Sequence, residues 1–432
     1  MKKFIPLLLM IAATQAFAGG PLLVGSPTYG ISGQPFRWDN TKSIHYRVDG
    51  GKLGTQANGT AITTVNNAFA TWTQIPGVKL TVQNLGAIQG VTDGDVSTAA
   101  EYDAVSATCD AGTQSPIILD DGTLVQALTG DPNVLGFSGP CNIDPATGTI
   151  KSAFSLLSGP VGISSGELTA EVVHELGHFI GLDHTDTGKT FEGTSQADID
   201  GTPTMFYQLI TPLMATPKTD DKAWLAKLYP ASNYASLYGT ITGQVLFSDG
   251  VTPVQDVLVI ARNTSNPHTI AVANISGYRF SSNPGQKIST DYMPCVPATE
   301  CTGGTWGDNP GSSNGSHDAS LIGLFEIPVP PGQYTVEVHA LGDDGSIGPF
   351  DPVLPMPGPA EYWNSDESNH DWATVTGWLL ADANPTPITV AAGQTVANIN
   401  IILNDTEPTY DVFEQPATPS ASRQTAPEGG VQ

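Results

Sequence analysis

Hydrophobic and polar positions in the first half of the chain follow two different periods. Alternation with a period of two predicts four strands, at residues 43–48, 78–82, 116–119 and 150–157. Large apolar residues recur every three or four positions from 62 to 75, which predicts an amphipathic helix that ends before Pro76. Apart from its two strands, the stretch 86–159 is predicted to be rich in loops.

Two further helices are predicted in the same half of the chain. The first spans 165–181, because Ser164 and Glu167 have the spacing of a capping box and Gly181 suits a left-handed C-terminal cap. The second is short, over 219–228. Strands mixed with helices predict an α+β domain in this half of the chain.

In the second half of the chain, the hydrophobic pattern predicts short strands and no helices. Short apolar strands separated by Gly, Pro, Asn and Asp are predicted at 240–246, 257–261, 278–280, 324–329, 333–339 and 397–403. Regular short strands without helices predict a β-sandwich over 238–404, with a polar insertion at about 282–320. Residues 19–35 are predicted to form a loosely attached arm, and 405–432 a disordered tail.

The first eighteen residues have the layout of a secretory signal peptide. Lys2 and Lys3 precede an apolar stretch over 4–13, and the small residues of 16–18 offer a cleavage site before Gly19. A membrane anchor is the alternative, but it needs about 20 apolar residues. We therefore expect a secreted, extracellular protein, with the periplasm as another destination, and no membrane insertion after cleavage.

Charge and cysteine content narrow the classes of partner. The net charge is −26, and only 13% of residues are charged, so phosphate backbones are repelled and no nucleic acid partner is expected.

An even number of cysteines in an exported chain suggests disulfides, and Cys295 with Cys301 would leave Cys109 to pair with Cys141. Four cysteines allow three pairings, and sequence does not choose among them. A Cys₂His₂ zinc site is a rival, which the cysteine spacing does not favour.

One segment carries candidate chemistry. His174 and His178 lie four apart on the predicted helix, so their rings project from one face, and Gly181 allows a sharp turn that returns His184 to them. Three imidazoles and a water would complete an open tetrahedral zinc site. Glu175, beside the first ligand, can then act as the general base for the water that attacks a peptide carbonyl. The alternative is three unrelated histidines, although core packing of the helix requires no polar residues there.

Residues 174–184 resemble the HExxHxxGxxH motif of the metzincin zinc metallopeptidases, and the flanks resemble the matrixin-type branch. The likeness covers roughly 36–231. It implies a zinc endopeptidase whose α+β catalytic domain has a twisted sheet, an active-site helix and a closing helix at 219–228. It also implies that a buried methionine lies in a turn below the metal, for which Met205 fits better than Met214. Tyr207 has a spacing at which a phenol can approach the metal or the oxyanion, although an ordinary core or surface tyrosine fits the same spacing. Too few residues precede Phe36 for a prodomain that silences zinc with a cysteine.

Two further features depend on the resemblance. Structural Ca²⁺ is frequent in the family, and the candidate ligands are Asp120, Asp121, Asp198 and Asp200, although such turns are common in any acidic chain. The second domain resembles prealbumin-like or carboxypeptidase-regulatory-like β-sandwiches, a weak match that many sandwiches share. No catalytic residues are predicted within it.

The leading hypothesis is a monomeric, secreted zinc endopeptidase that acts on protein or peptide substrates. Its main alternative is an extracellular binding or adhesion protein, in which the sandwich is the working part and the zinc domain is inactive. A zinc-dependent hydrolase of other substrates is a third hypothesis. Because a pseudoenzyme has no use for a base beside the metal, the presence of Glu175 favours the peptidase.

Overall fold

The computed structural model of the protein describes most of the chain, namely residues 19–25, 27–131, 134–187, 196–254, 257–279, 318–339, 360–367, 375–376, 379–380 and 385–404. Four predictions lie outside these ranges: the signal peptide, the Cys295–Cys301 pair, nearly all of the 282–320 insertion, and the tail from 405. Within them the protein is a mixed α/β structure with several sheets. No helix in the described ranges is long and apolar enough to cross a membrane.

A six-stranded sheet organises the first half of the chain. Its strands are β1 (Arg37–Trp38), β2 (Ile44–Val48), β3 (Val82–Ala87), β4 (Pro116–Asp120), β5 (Gly136–Asp144) and β6 (Thr149–Ser158). Five strands are parallel in the order β1-β6-β4-β2-β3, and β5 pairs antiparallel with β6. Strand β4, in the middle of the sheet, is buried along its whole length, whereas β2 alternates and the edge strand β3 is largely exposed.

Seven helices accompany the sheets in the described ranges. They are α1 (Asn58–Thr73), α2 (Ala99–Asp110), α3 (Leu124–Thr129), α4 (Ser165–Phe179), α5 (Gln196–Gly201), α6 (Thr219–Leu228) and α7 (Tyr234–Leu237). Helices α1 and α4 pack together through a T-shaped contact between Phe69 and Phe179, with ring centroids 5.4 Å apart. The Trp72 indole also donates a hydrogen bond of 2.8 Å to the Val173 carbonyl. These two contacts hold α4 against α1.

The second half of the chain forms two larger sheets and one short strand pair. The strands are β7 (Gly239–Leu246), β8 (Leu258–Asn263), β9 (Ala271–Ile275), β10 (Leu324–Val329), β11 (Gly332–His339), β12 (Glu361–Tyr362), β13 (Val375–Thr376), β14 (Leu379–Leu380), β15 (Ile388–Val390), β16 (Thr395–Val396) and β17 (Ile401–Ile402). One sheet joins β10, β7, β16 and β17, and the other joins β12, β11, β8, β9 and β15. Their buried side chains belong to one hydrophobic cluster.

Three sequence predictions of elements were wrong. The strand expected at 78–82 lies at Val82–Ala87, and Val78 forms only an isolated bridge to Pro230. Tyr278 and Arg279, expected to begin a strand at 278–280, form a turn, and residue 280 lies outside the described ranges. The strand β9 precedes this turn, and its five residues are all buried and show no alternation. The stretch expected to be loop-rich contains α2, α3 and β5. Helix α2 begins at the Thr98–Glu101 capping box and buries only Val105 and Cys109, so its apolar periodicity is too weak to predict a helix.

The N-terminal arm is not loosely attached, contrary to the expectation for residues 19–35. Leu23 and Val24 are each 2% exposed, because these apolar residues interrupt the Gly/Pro-rich stretch and find a place in the core. The Leu22 amide donates to the Gly181 carbonyl over 2.9 Å, and the Gly19 amide donates to the His184 carbonyl over 2.7 Å. The arm therefore lines the turn that follows α4.

A polar seam joins the two halves of the chain along α6 and β9. The Trp224 indole donates to the Ala273 carbonyl, and the Ala273 amide donates to Asp220, each over 2.8 Å. Lys227 pairs with Glu326 at 2.6 Å. The main hydrophobic cluster is continuous across this seam, so the predicted boundary near 231–238 falls inside a shared core.

Candidate metal centre

Helix α4 is built to hold polar groups in a buried position. Its capping box between Ser164 and Glu167 has both hydrogen bonds, as the sequence predicted. Every residue from Ala170 to Phe179 is buried, including His174, Glu175 and His178. With Glu171, four polar side chains are buried on this helix, which costs free energy unless they have partners or a ligand.

The chain turns directly after α4. Gly181 has φ +94°, a conformation that glycine adopts without strain, and this confirms the predicted cap. The turn returns His184 to the helix, where its Nε2 lies 3.1 Å from the Nε2 atoms of both His174 and His178. The latter two are 3.2 Å apart. The structure thus brings together all three predicted ligands, called here the histidine triad.

Two rings of the histidine triad, those of His174 and His178, present lone pairs to its centre. His174 Nδ1 lies 2.7 Å from the Thr204 carbonyl and His178 Nδ1 lies 2.8 Å from the Leu182 carbonyl. A carbonyl oxygen only accepts, so each Nδ1 carries the proton and, in the neutral ring, each Nε2 is bare. Converging lone pairs repel one another unless a cation lies between them, so the triad could hold a metal ion.

The spacing and the protonation state both fit a divalent metal. Tetrahedral zinc with bonds of about 2.0–2.1 Å requires nitrogen ligands about 3.3 Å apart. Burial lowers the pKa of His174 to about 4, despite its bond to Thr204. Burial and the neighbouring His174 lower the pKa of His178 to about 3, and His184 is shifted in the same direction for the same reasons. The rings are therefore neutral at pH 7, as metal ligands must be.

A turn containing Met205 lies behind α4. A side chain at Gly177, between the two helical ligands, would overlap the Met205 sulfur, so a larger residue there would displace the Met205 side chain. Asp221 on α6 holds this turn by accepting hydrogen bonds from the amides of Thr204 and Met205, at 2.8 and 2.9 Å. Met214, the rival, is also buried, but it lines the cavity in front of the helix.

A cavity of about 450 Å³, called here the cleft, opens beside the histidine triad. Glu175 lines it and is 4% exposed, and its Oε2 atom has no hydrogen-bond partner in the described part of the chain. Burial, followed by the charge of Glu171, raises the pKa of Glu175 well above its ordinary value. Tyr207 also lines the cleft, packed on Phe206 with ring centroids 4.4 Å apart.

The four aspartates proposed for calcium do not form a site in the structure. Asp120 accepts hydrogen bonds from the amides at the start of α3, and Asp121 accepts one from the Thr123 hydroxyl. Asp198 pairs with His268 at 2.7 Å, and Asp200 accepts from a glutamine on the same helix. Among the described residues, the histidine triad is the one group of metal-binding side chains with suitable spacing.

The Cys109–Cys141 disulfide expected from the sequence is present. It joins α2 to β5, with the two Cα atoms 5.8 Å apart. Strand β5 begins against helix α4, since the backbone of Gly136 lies beside the Glu175 side chain. The disulfide therefore anchors the strand that borders the cleft.

Sequence reasoning missed three contributors to the site. Thr204 acts through its carbonyl and Asp221 through a contact from another helix, so neither leaves a signal in the local pattern. Glu171 was detectable: it is an acidic residue four positions before Glu175, on the same face of a helix whose other buried residues are mostly apolar.

Comparison with known proteins adds no family to this description. No model of a protein family matches the chain, and no curated protein matches it. What can be said of function rests on the histidine triad, Glu175 and the cleft beside them.

Proposed function

We propose that the protein is a secreted, zinc-dependent endopeptidase of the metzincin type, with a matrixin-like catalytic domain and an accessory β-sandwich. The observation that carries the proposal is the convergence of three imidazole Nε2 atoms beside a buried carboxylate, one oxygen of which has no partner among the described residues. His174, His178 and His184 would hold the metal. Zinc, when bound there, supplies a Lewis acid that polarises the scissile carbonyl and makes water more acidic.

The remaining chemistry falls to side chains of the cleft. Glu175 accepts the proton of the attacking water and returns it to the leaving amine, a role that needs its carboxylate ionised. Burial opposes ionisation, and a cation in the histidine triad favours it. Met205 packs against the ligand helix at Gly177, and Tyr207, which lines the cleft, would donate to the developing oxyanion.

Activity on casein or gelatin tests the proposal. The wild type is expected to cleave, to stop when a chelator removes the metal, and to recover with added zinc. Glu175→Ala should retain zinc and lose about 10²- to 10⁴-fold in rate, the usual contribution of a general base. A wild type that binds zinc and leaves proteins and peptides intact would instead favour the binding or adhesion alternative.

Metal content tests the ligands separately from activity. His178→Ala removes one of three imidazoles and is expected to lose stoichiometric zinc, measured by elemental analysis after gel filtration. His45→Ala is the matched control, because His45 is exposed on β2. Equal zinc in both variants would contradict the ligand assignment.

A further inference from the structure

The wall of the cleft carries a carboxyl group that the proposed mechanism does not use. Glu171 lies one helical turn before Glu175 on α4, lines the same cavity, and is 7% exposed. Its carboxyl group is close enough to that of Glu175 for the two charges to interact. Two carboxylates in one buried place repel each other, so a positive charge beside them would be stabilised.

The charges around this pair have one sign. Asp131 is the third acidic residue that lines the cleft, and no Lys or Arg is among the described residues around it. Burial raises the pKa of Glu171 to about 7, which reflects a carboxylate without a cation near it. Among the described residues that line the cleft, no cation offsets the charge of Glu171. A positively charged ligand would therefore be stabilised there.

The rest of the wall is apolar. Val134, Leu135, Leu209 and Ile210 line the cleft, so a long side chain could lay its methylene groups along them. A volume of about 450 Å³ is ample for one such side chain. Its charged end would then reach the carboxyl group of Glu171.

We propose that Glu171 makes this cleft a specificity pocket for a basic side chain, arginine above lysine, at a position flanking the scissile bond. The inference rests on the proposed peptidase function and names its substrate class. The guanidinium pairs with the Glu171 carboxylate on the wall of the cleft, and its planar fork suits a carboxylate better than the point charge of lysine. The net charge of −26 favours the approach of basic substrates.

Cleavage of matched peptides tests the pocket. In one quenched fluorescent peptide, each residue flanking the cleavage site is replaced in turn by arginine, lysine, citrulline or leucine. At one position the wild type is expected to prefer arginine to citrulline, its uncharged analogue, by about 10- to 100-fold in kcat/KM. Glu171→Gln should reduce this ratio at least tenfold, and Glu171→Leu should make leucine the preferred residue at that position. Asp103→Asn, an exposed change on α2, should leave the ratio of arginine to citrulline unaltered.

Two outcomes would overturn the inference. One is equal cleavage of arginine and citrulline peptides by the wild type. The other is a Glu171→Gln variant that slows all peptides equally, because Glu171 would then act only through Glu175. Thermal unfolding of each variant shows whether it is folded.

Binding separates this inference from the proposed function. Zinc-loaded Glu175→Gln protein should bind the arginine peptide at least tenfold more tightly than the citrulline peptide, measured by calorimetry, even if no peptide is ever cleaved. Failure of cleavage alone would count against the peptidase. Equal binding of the two peptides would count against the pocket.

Discussion

At the scale of single residues, the metal centre depends on groups that hold the ligands as much as on the ligands. His174 and His178 are each oriented by a backbone carbonyl, and one of these carbonyls belongs to Thr204 in the turn that Asp221 holds. Asp221 is 1% exposed and accepts hydrogen bonds from three backbone amides, those of Thr204, Met205 and Lys218. One carboxylate thus connects the turn behind the metal to the start of α6.

Removal of that carboxylate should therefore weaken the whole fold. Asp221→Ala leaves three buried amides without an acceptor and is expected to lower the free energy of unfolding by about 2–4 kcal/mol. Urea denaturation of metal-free protein measures this loss without a contribution from zinc. Asp103→Ala on the exposed face of α2 should change stability by less than about 0.5 kcal/mol. Similar midpoints for the two variants would contradict the role of Asp221.

At the scale of elements, the success of sequence reasoning followed the strength of local signals. Helix α4 combines a capping box with a glycine cap, and α6 was predicted at its observed bounds of Thr219–Leu228. By contrast, α2 has few buried residues, and β9 is buried along its whole length. A strand without alternation is recognised only through its partners, which lie far away in sequence.

One pair of strands shows how such distant partners affect stability. Arg262 on β8 forms an ion pair with Glu337 on β11, and their side chains are 13% and 3% exposed. The same arginine donates to the Thr187 carbonyl over 2.6 Å, three residues after His184. Burial works to raise the pKa of Glu337, but the Arg262 charge and His339 lower it to about 2 from an ordinary 4.5.

This shift predicts a dependence of stability on pH. An acid with a depressed pKa in the folded state stabilises it above the unfolded pKa, and the effect is lost as pH falls from about 4.5 to about 2. Glu337→Gln should therefore be less stable than the wild type at pH 7, by roughly 3 kcal/mol, with the gap closing towards pH 2.5. Urea titrations at several pH values measure the gap. A gap that stays constant with pH would show that Glu337 is not ionised in the fold.

At the scale of the whole molecule, the two halves of the chain behave as neighbours with a common interior. Helix α6 holds the Met205 turn on one side and bonds to β9 on the other. The arm reaches the same place, since the Asn274 amide donates to the Gly19 carbonyl over 3.0 Å. The histidine triad was visible in sequence because it lies within eleven residues, whereas this surrounding support is assembled from segments about 250 residues apart.

A shared interior predicts cooperative unfolding. Scanning calorimetry of the full chain should give one transition, with van't Hoff and calorimetric enthalpies that agree, and not the two expected of independent domains. Trp224→Ala removes an indole bonded across the seam and should lower the midpoint of that single transition. Two resolved transitions in the wild type would show that the halves fold separately.

The contact between Gly177 and Met205 has a chemical consequence for the metal centre. Oxidation of the thioether to the sulfoxide adds a polar oxygen to a sulfur that already fills the space behind the helix. Met205 is only 1% exposed, so peroxide can reach it only while the turn and the helix are apart. The rate of sulfoxide formation at Met205, followed by mass spectrometry, would thus measure how often the Met205 turn separates from helix α4.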